Sequence, residues 1–332
     1  MMKRILHALL LCGLAAGAQA ATVIKIATVA PDGTAWMREM RAGADAVKKR
    51  TGDRVEIKYY PGGVMGDEPS VLRKIKIGQL QGGAFTGGEL SQTNKDAQIY
   101  SLPFLFRNLD EVDKVRSQLD PLLKKSFENT GLEAVAISGG GFAYLMSVRD
   151  IRNKDDLKAA KVWVPQGDRI AEVGFSAAGV TPISLPLADV YTSLQTGLID
   201  TVANTPAGAI AFQWHTRLKH MVDLPLTYVV GILVIDKKVF DALPADDRKA
   251  VNEELAAAFA RLEKINRDDN TQARAALEKQ GVTIFTPNAA EAKSWEAVGA
   301  SARAELTAKN EITPEMTAAL DKALAQARGT GK

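Results

Sequence analysis

Trp163, Asp168, Asn204 and Glu89 are the side chains best suited by type and neighbourhood to hold a small molecule. An indole gives one N–H and a broad apolar face that stacks on rings or cations. A carboxamide gives donor and acceptor together, and a carboxylate reads a hydroxyl or an ammonium group. Trp163 lies in the short β-prone run Lys161-Val162-Trp163-Val164-Pro165, and Gln166-Gly167-Asp168-Arg169 follows and opens a helix. Asp168 suits the N-cap of that helix, with a ligand contact as the alternative. Asn204 ends a short strand before Thr205-Pro206, as a cleft contact or as a turn residue. Glu89 follows the small-residue run Gly82 to Gly88, where backbone approaches a ligand closely; a solvated loop acid is the plainer reading. Phe142 and Tyr144 stand as a possible aromatic wall, and Trp214 as a further aromatic candidate.

Residues for covalent chemistry are scarce. His215 and His220, five apart, fit no H-E-x-x-H zinc helix, and the one cysteine is Cys12 near the start. The glycine clusters form neither G-x-G-x-x-G nor a P-loop, and no G-x-S-x-G elbow occurs. Carboxylates are plentiful but none is singled out as an acid–base pair. These residues point to non-covalent binding with no cofactor and no metal; a periplasmic enzyme ranks below that.

The start of the chain carries an export signal. Lys3 and Arg4 precede the apolar run Ile5 to Ala18, and Ala18-Gln19-Ala20 is a cleavage site, so 1–20 is a signal peptide and the protein is periplasmic. The 332 residues hold 42 Lys and Arg against 39 Asp and Glu, too balanced for a nucleic-acid-binding surface. No later apolar run approaches the ~18 residues of a membrane span.

Strands and helices alternate along the rest. Thr22–Thr28, Val55–Tyr60, Gly82–Thr86 and Leu132–Ser138 read as strands, and helices run from about Thr34 to Arg50, from Asp67, and over Leu109 to Thr130. This is an α/β lobe with a largely parallel sheet. Gly139-Gly140-Gly141 reads as a linker or sharp crossing. A second α/β unit follows: strands over 144–148, 161–164, 181–184 and 200–203, and helices from Asp168 and Leu187. Tyr228–Ile235 returns to the first lobe. Ala245 to Gln280 is a helix too long for one lobe and bridges both. The expected organisation is therefore α/β, with 21–141 and 229–268 as lobe one and 142–228 and 269–332 as lobe two, hinged about a ligand cleft.

Several segments together resemble the solute-binding proteins of tripartite ATP-independent periplasmic (TRAP) transporters. They are Gly66-Asp67, Ser101-Leu102-Pro103-Phe104-Leu105-Phe106 ("LPFLF"), and Val190-Tyr191, Leu194-Gln195-Thr196-Gly197, Asp200 and Asn204, matching "VYxALQxGxxDGxxNP". The resemblance covers nearly the whole chain. It implies a two-lobed periplasmic-binding-protein fold with a hinge, a central cleft and a long bridging helix. It also implies a monomeric receptor that hands a small solute, usually an organic acid, to the small and large membrane permease subunits. A periplasmic sensor that presents its closed form to a signalling partner shares the same features.

By the same resemblance the turn Val29-Ala30-Pro31-Asp32-Gly33 lines the cleft, bringing in Val29 and Asp32, and Leu187 opens the matching segment; Gly88 of the small-residue run and Gln166 beside Asp168 join the candidate ligand contacts. One departure bears on the solute. Where the family has "G-L-K-x-R-V-P", whose arginine forks a carboxylate, this chain has Ala160-Lys161-Val162-Trp163-Val164-Pro165, and a second arginine position falls on Ala143. Trp163 then stacks on the solute, sits beside a carboxylate held by Arg149, Arg152, Arg169 or Lys161, or only packs its strand.

Overall fold

The computed structural model describes residues 21–329; the signal peptide read at 1–20 lies outside them. The first lobe begins with β1 (Thr22–Thr28), α1 (Ala35–Arg50), β2 (Val55–Tyr60), α2 (Glu68–Lys76), β3 (Gly82–Thr86) and α3 (Leu109–Ser126). Helix α1 starts where Thr34 accepts the Met37 amide. It buries Met37, Met40, Ala44 and Val47 at helical spacing, and Lys48, Lys49 and Arg50 oppose its C-terminal dipole. Asp67 caps α2 through the Ser70 amide, as the Gly66-Asp67 start implies.

The chain leaves this lobe through one long strand, β4 (Leu132–Ser147), and not through a loop. Beyond it come α4 (Lys154–Lys158), β5 (Trp163–Pro165), α5 (Arg169–Ala177), β6 (Ile183–Leu185), α6 (Val190–Thr196), β7 (Thr201–Asn204), α7 (Pro206–Ala211) and β8 (His220–Val222). The return strand is β9 (Thr227–Asp236), followed by α8 (Lys237–Asp241), α9 (Ala245–Lys279), β10 (Thr283–Phe285), α10 (Ala289–Ala308) and α11 (Pro314–Ala327).

The glycine triplet differs from its expectation. Strands β4 and β9 pair antiparallel from Leu132 opposite Asp236 to Ala143 opposite Thr227, and Gly139–Gly141 absorbs a bulge within the ladder. A bulge bends a strand without breaking it, and Gly141, at φ 114°, takes a conformation that disfavours a side chain. The hinge is thus a pair of crossing strands.

The sheet is mixed, not largely parallel. Strands β2, β1 and β3 are parallel, while β9 runs antiparallel to both β3 and β4 because it re-enters from the far lobe. The main path is β10-β8-β4-β9-β3-β1-β2, with β7 also on β4 and a separate β5–β6 pair. A further difference lies at the C-terminus. Helix α10 packs on α5 of the second lobe, but α11 lies on α3, burying Leu320 and Leu324 in the first lobe's core. The expected assignment of all of 269–332 to lobe two does not describe α11.

Helix α9 has 35 residues and runs roughly 50 Å at 1.5 Å per residue. Its first half packs on α1, closely enough that a Cβ at Gly43 would come 2.9 Å from Ala258 Cβ, and its later part packs on α7. No described helix is long and apolar enough to cross a membrane.

Candidate functional site

The two lobes enclose a cleft of about 820 Å³. Lobe one contributes the ends of β1 and β3 and the loops after them; lobe two contributes β5, α5 and the β7–α7 junction; the floor is the β4–β9 crossing and one face of α9.

The lobes meet at several points: Phe104 N–H donates to Leu226 O at 2.7 Å, Pro103 lies against Gly174 of α5, and Gly88 lies against Asp168. A Cβ on Gly88 would lie 2.7 Å from Asp168 Cγ, so only glycine leaves room for that carboxylate. Asp168 is the N-cap of α5, as its spacing predicts, and Oδ1 accepts the Ala171 amide at 2.9 Å. Burial outweighs that hydrogen bond and pushes its carboxyl up to about 6. Next to Gly88, Glu89 Oε2 accepts the Thr86 amide at 2.8 Å. Burial and the neighbouring Glu68 carboxyl push Glu89 well above the usual carboxylate range. Glu68 is 5% exposed, and among the described residues its Oε1 has no hydrogen-bond partner.

On the lobe-two wall Trp163 is 3% exposed, and its Nε1–H donates to Leu185 O at 3.0 Å. Its ring meets Trp214 edge-on, with centroids 5.3 Å apart, and Trp214 in turn stacks on Phe212. Trp163 therefore both lines the cleft and packs its lobe, and its only donor is spent on backbone. Asn204 lines the cleft at the end of β7, opposite Tyr144 in the ladder, and Oδ1 accepts the Thr205 amide at 2.7 Å.

Val29, Gly88, Glu89, Trp163, Asp168, Leu187 and Asn204 all come together around the cleft. Asp32 does not: it sits on the surface, where Arg41 and the Gly33 amide hold its carboxyl below its ordinary range. Gln166 is exposed and outside the lining. Phe142 packs edge-on against Tyr228, centroids 5.3 Å apart, and Tyr144 joins the hydrophobic cluster of lobe two. Trp214 is buried behind Trp163. Sequence reading missed Arg38, Trp36, Phe212, Trp295 and the α9 residues Asn266, Asp269 and Gln272, all of which line the cleft. The α9 spacing of three to four residues was the available signal, but a long polar helix offers many such rows.

Against this geometry, the profile of the bacterial extracellular solute-binding proteins, family 7, matches residues 26–310. The chain belongs to that family. Among characterised relatives, the C4-dicarboxylate-binding periplasmic protein DctP of Rhodobacter capsulatus is 24% identical over 307 residues, covering 92% of this chain and 91% of its own. Among solved structures, a TRAP periplasmic solute-binding protein from Shewanella oneidensis with bound succinate superposes with a TM-score of 0.85 at 20% identity, over 92% of this chain and all of that one (100%). One from Desulfovibrio salexigens with bound orotic acid gives 0.84 at 20% identity, over 92% and 99%. The two-lobed fold expected from the sequence is thereby shared with the family.

Few cationic side chains face the cleft of this family-7 solute-binding protein. Arg149 donates to Ala159 O and pairs with Asp200; Arg152 pairs with Asp150; Arg169 pairs with Glu172 and Glu311; Lys161 donates to Gly197 O. None of these four lines the cleft. Arg38 is the one cationic side chain among the described lining residues, and its Nη1 already donates to Gly33 O at 2.8 Å. A guanidinium has five N–H donors, so Arg38 is the one described lining group that could fork a ligand carboxylate.

The floor of this solute-binding protein is held by a polar row on α9. Glu263 accepts the Gly139 amide at 3.3 Å, Asn266 Nδ2 donates to Gly139 O at 2.8 Å, and Asn270 Nδ2 donates to Gly140 O at 2.7 Å. Glu263 also pairs with Arg116, a buried guanidinium that binds Asp120 as well. The bulged backbone gives up ladder hydrogen bonds, and these side chains replace them.

Proposed function

We propose that this protein is the extracytoplasmic receptor of a TRAP transporter. It is exported by the 1–20 leader, works in the periplasm as a monomer, and delivers a small organic acid or related solute to the small and large permease subunits. It performs no covalent chemistry; the solute leaves as it arrived.

The observation that carries this reading is the cleft itself, bounded by two lobes between which the chain passes through crossing strands and a long shared helix. A ligand that touches both lobes favours the closed form by its differential contacts. In this reading lobe one comprises 21–141, 229–268 and the α11 segment, and lobe two comprises 142–228 and the residues between α9 and α11. Asn204 orients the solute, Glu89 and Asp168 read a hydroxyl or other polar group, Trp163 covers it with its ring face, and Val29, Gly88 and Leu187 shape the walls.

The test is a thermal-shift panel on residues 21–332, unfolded and refolded to strip any carried-over solute, against organic acids, aromatic acids, sugars and amines. A ligand that binds only the folded state raises the melting temperature by mass action. Uptake into vesicles bearing the permease subunits, only when the liganded receptor is added, then establishes delivery. No shift across the panel after refolding, or recovery of a chemically altered ligand, overturns the reading.

A further inference from the structure

We infer that the solute of this receptor is amphipathic, with a bulky apolar body lodged beside α5 and one hydrogen-bonding head, and is not a short dicarboxylate. The inference rests on the receptor reading above and concerns what that cleft accepts.

Size is the first argument. A cleft of about 820 Å³ lies in the upper part of the roughly 300–1,000 Å³ range of sites for drug-sized ligands. A C4 dicarboxylate has eight non-hydrogen atoms and, at roughly 30 Å³ for each water-sized group, fills about a third of it.

Wall chemistry is the second. The charged side chains of the described lining are Arg38, Glu89, Asp168 and Asp269, one cation against three acids. Two of those acids are held toward their neutral forms by burial. Trp163 stands where the resemblance places an arginine and has no free donor. A dianion entering here meets three acids and several ring faces against one cation, Arg38, so one of its two charges has no cationic partner.

The third argument is where polar and apolar groups lie along one helix. Asp168 and the Glu89 loop mark the N-terminal end of α5. Seven residues later Phe175 joins Phe104, Leu157 and Trp295, and these four line both the cleft and a smaller cavity of about 20 Å³ whose other walls are also apolar. At 1.5 Å per residue the two regions are roughly 10 Å apart along the helix. A molecule with its head at Asp168 and Glu89 and a body of that length reaches the pocket formed with α10.

The test compares decanoate, below its micelle concentration, with succinate as probes of refolded residues 21–332. Both are run at pH 5, below the value of about 6 to which Asp168 is pushed, so that its carboxyl presents a proton to the head. Thermal shift and displacement of the fluorescent dye anilinonaphthalene sulfonate are read together. Decanoate is expected to raise the melting temperature and displace the dye, and succinate at equal concentration to do neither. Val298→Lys, at a half-buried lining position on α10, is expected to weaken decanoate at least about tenfold by placing a charge in the apolar end. Ala171→Trp, half-buried on α5, obstructs the same path by bulk and covers the case in which the lysine variant folds poorly. A response to succinate without one to decanoate overturns the inference and leaves the receptor reading standing. A response to neither overturns it too, and the wider panel then decides the receptor reading. Undiminished decanoate binding in both variants overturns the placement beside α5.

Discussion

Gly88 of the first lobe and Asp168 of the second meet across the cleft, with room between them for a hydrogen but not for a methyl group. Gly88 is not among the residues with positive φ, so its backbone suits any side chain and the glycine serves the close approach alone. Closure of the lobes and the N-cap of α5 are thereby joined at one contact.

Gly88→Ala is expected to leave the fold intact and to oppose closure by about 1–3 kcal/mol, the usual cost of forcing a methyl into a packed contact. Small-angle scattering of the liganded protein should show a larger radius of gyration than wild type. Asp168→Ala in the same chain should restore it. An unchanged radius in Gly88→Ala means that the lobes do not meet at this pair.

Asp168 also makes stability depend on pH. Its folded-state carboxyl titrates at about 6, above the ordinary 3.8, so between those values the native state binds more protons than the unfolded chain. Stability from this group is full below about pH 4 and is lost as pH rises through 6. Asp168→Asn keeps an N-cap acceptor and removes the titration. It is expected to be more stable than wild type at pH 8, by about 1–2 kcal/mol after allowance for solvent, and to lose that advantage by pH 4. Urea unfolding at the two pH values measures the difference; an equal offset at both refutes the assignment.

Trp163→Ala tests packing as well as binding. The ring is nearly inaccessible and braced by Trp214 and Leu185 O, so its loss should cost about 3–5 kcal/mol and blur any binding defect. Trp163→Phe keeps an aromatic face and loses the Nε1 bond, at about 1 kcal/mol. If the face is what the solute meets, Trp163→Phe binds within a few-fold of wild type while its urea midpoint falls.

The alternation of strands and helices was legible because each element carries its own period and cap: Thr34 before α1, Asp67 before α2 and Asp168 before α5 all cap as their spacing implies. The long helix was legible from the scarcity of breakers over Ala245 to Lys279. What could not be read is long-range. Three glycines in a row look the same in a linker and in a bulged crossing strand, and only the partner strand β9 decides between them. The side on which α11 lies is likewise set by the apolar face of α3, not by anything local to α11. In the site, residues at element ends were found because small residues and caps mark them. Tyr144 and Phe142 point their bulk into cores that sequence does not locate, and the α9 row was hidden in a polar helix.

Asn270 offers the sharpest test of how the hinge is tied to the site. Its Nδ2 donates to Gly140 O at 2.7 Å, and its Oδ1 accepts the Ala207 amide at 3.1 Å. Ala207 lies in the first turn of α7, three residues after Asn204. One side chain therefore links the crossing strand to the helix that follows a cleft contact. Asn270→Ala removes these bonds, together with the one from Nδ2 to Asn266 O, and leaves an amide and a carbonyl at the cleft floor to water, for an expected loss of about 1–3 kcal/mol. Asn270→Asp keeps the acceptor for the Ala207 amide but sets a carboxylate oxygen against the Gly140 and Asn266 carbonyls, so its loss should be at least as large. Amide hydrogen exchange separates the two roles. The Ala207 amide should exchange faster in Asn270→Ala and stay protected in Asn270→Asp, while both variants loosen the strand around Gly140. Unchanged protection at Ala207 in Asn270→Ala would show that α7 is held by its packing on α9 alone, and that the hinge and Asn204 move independently.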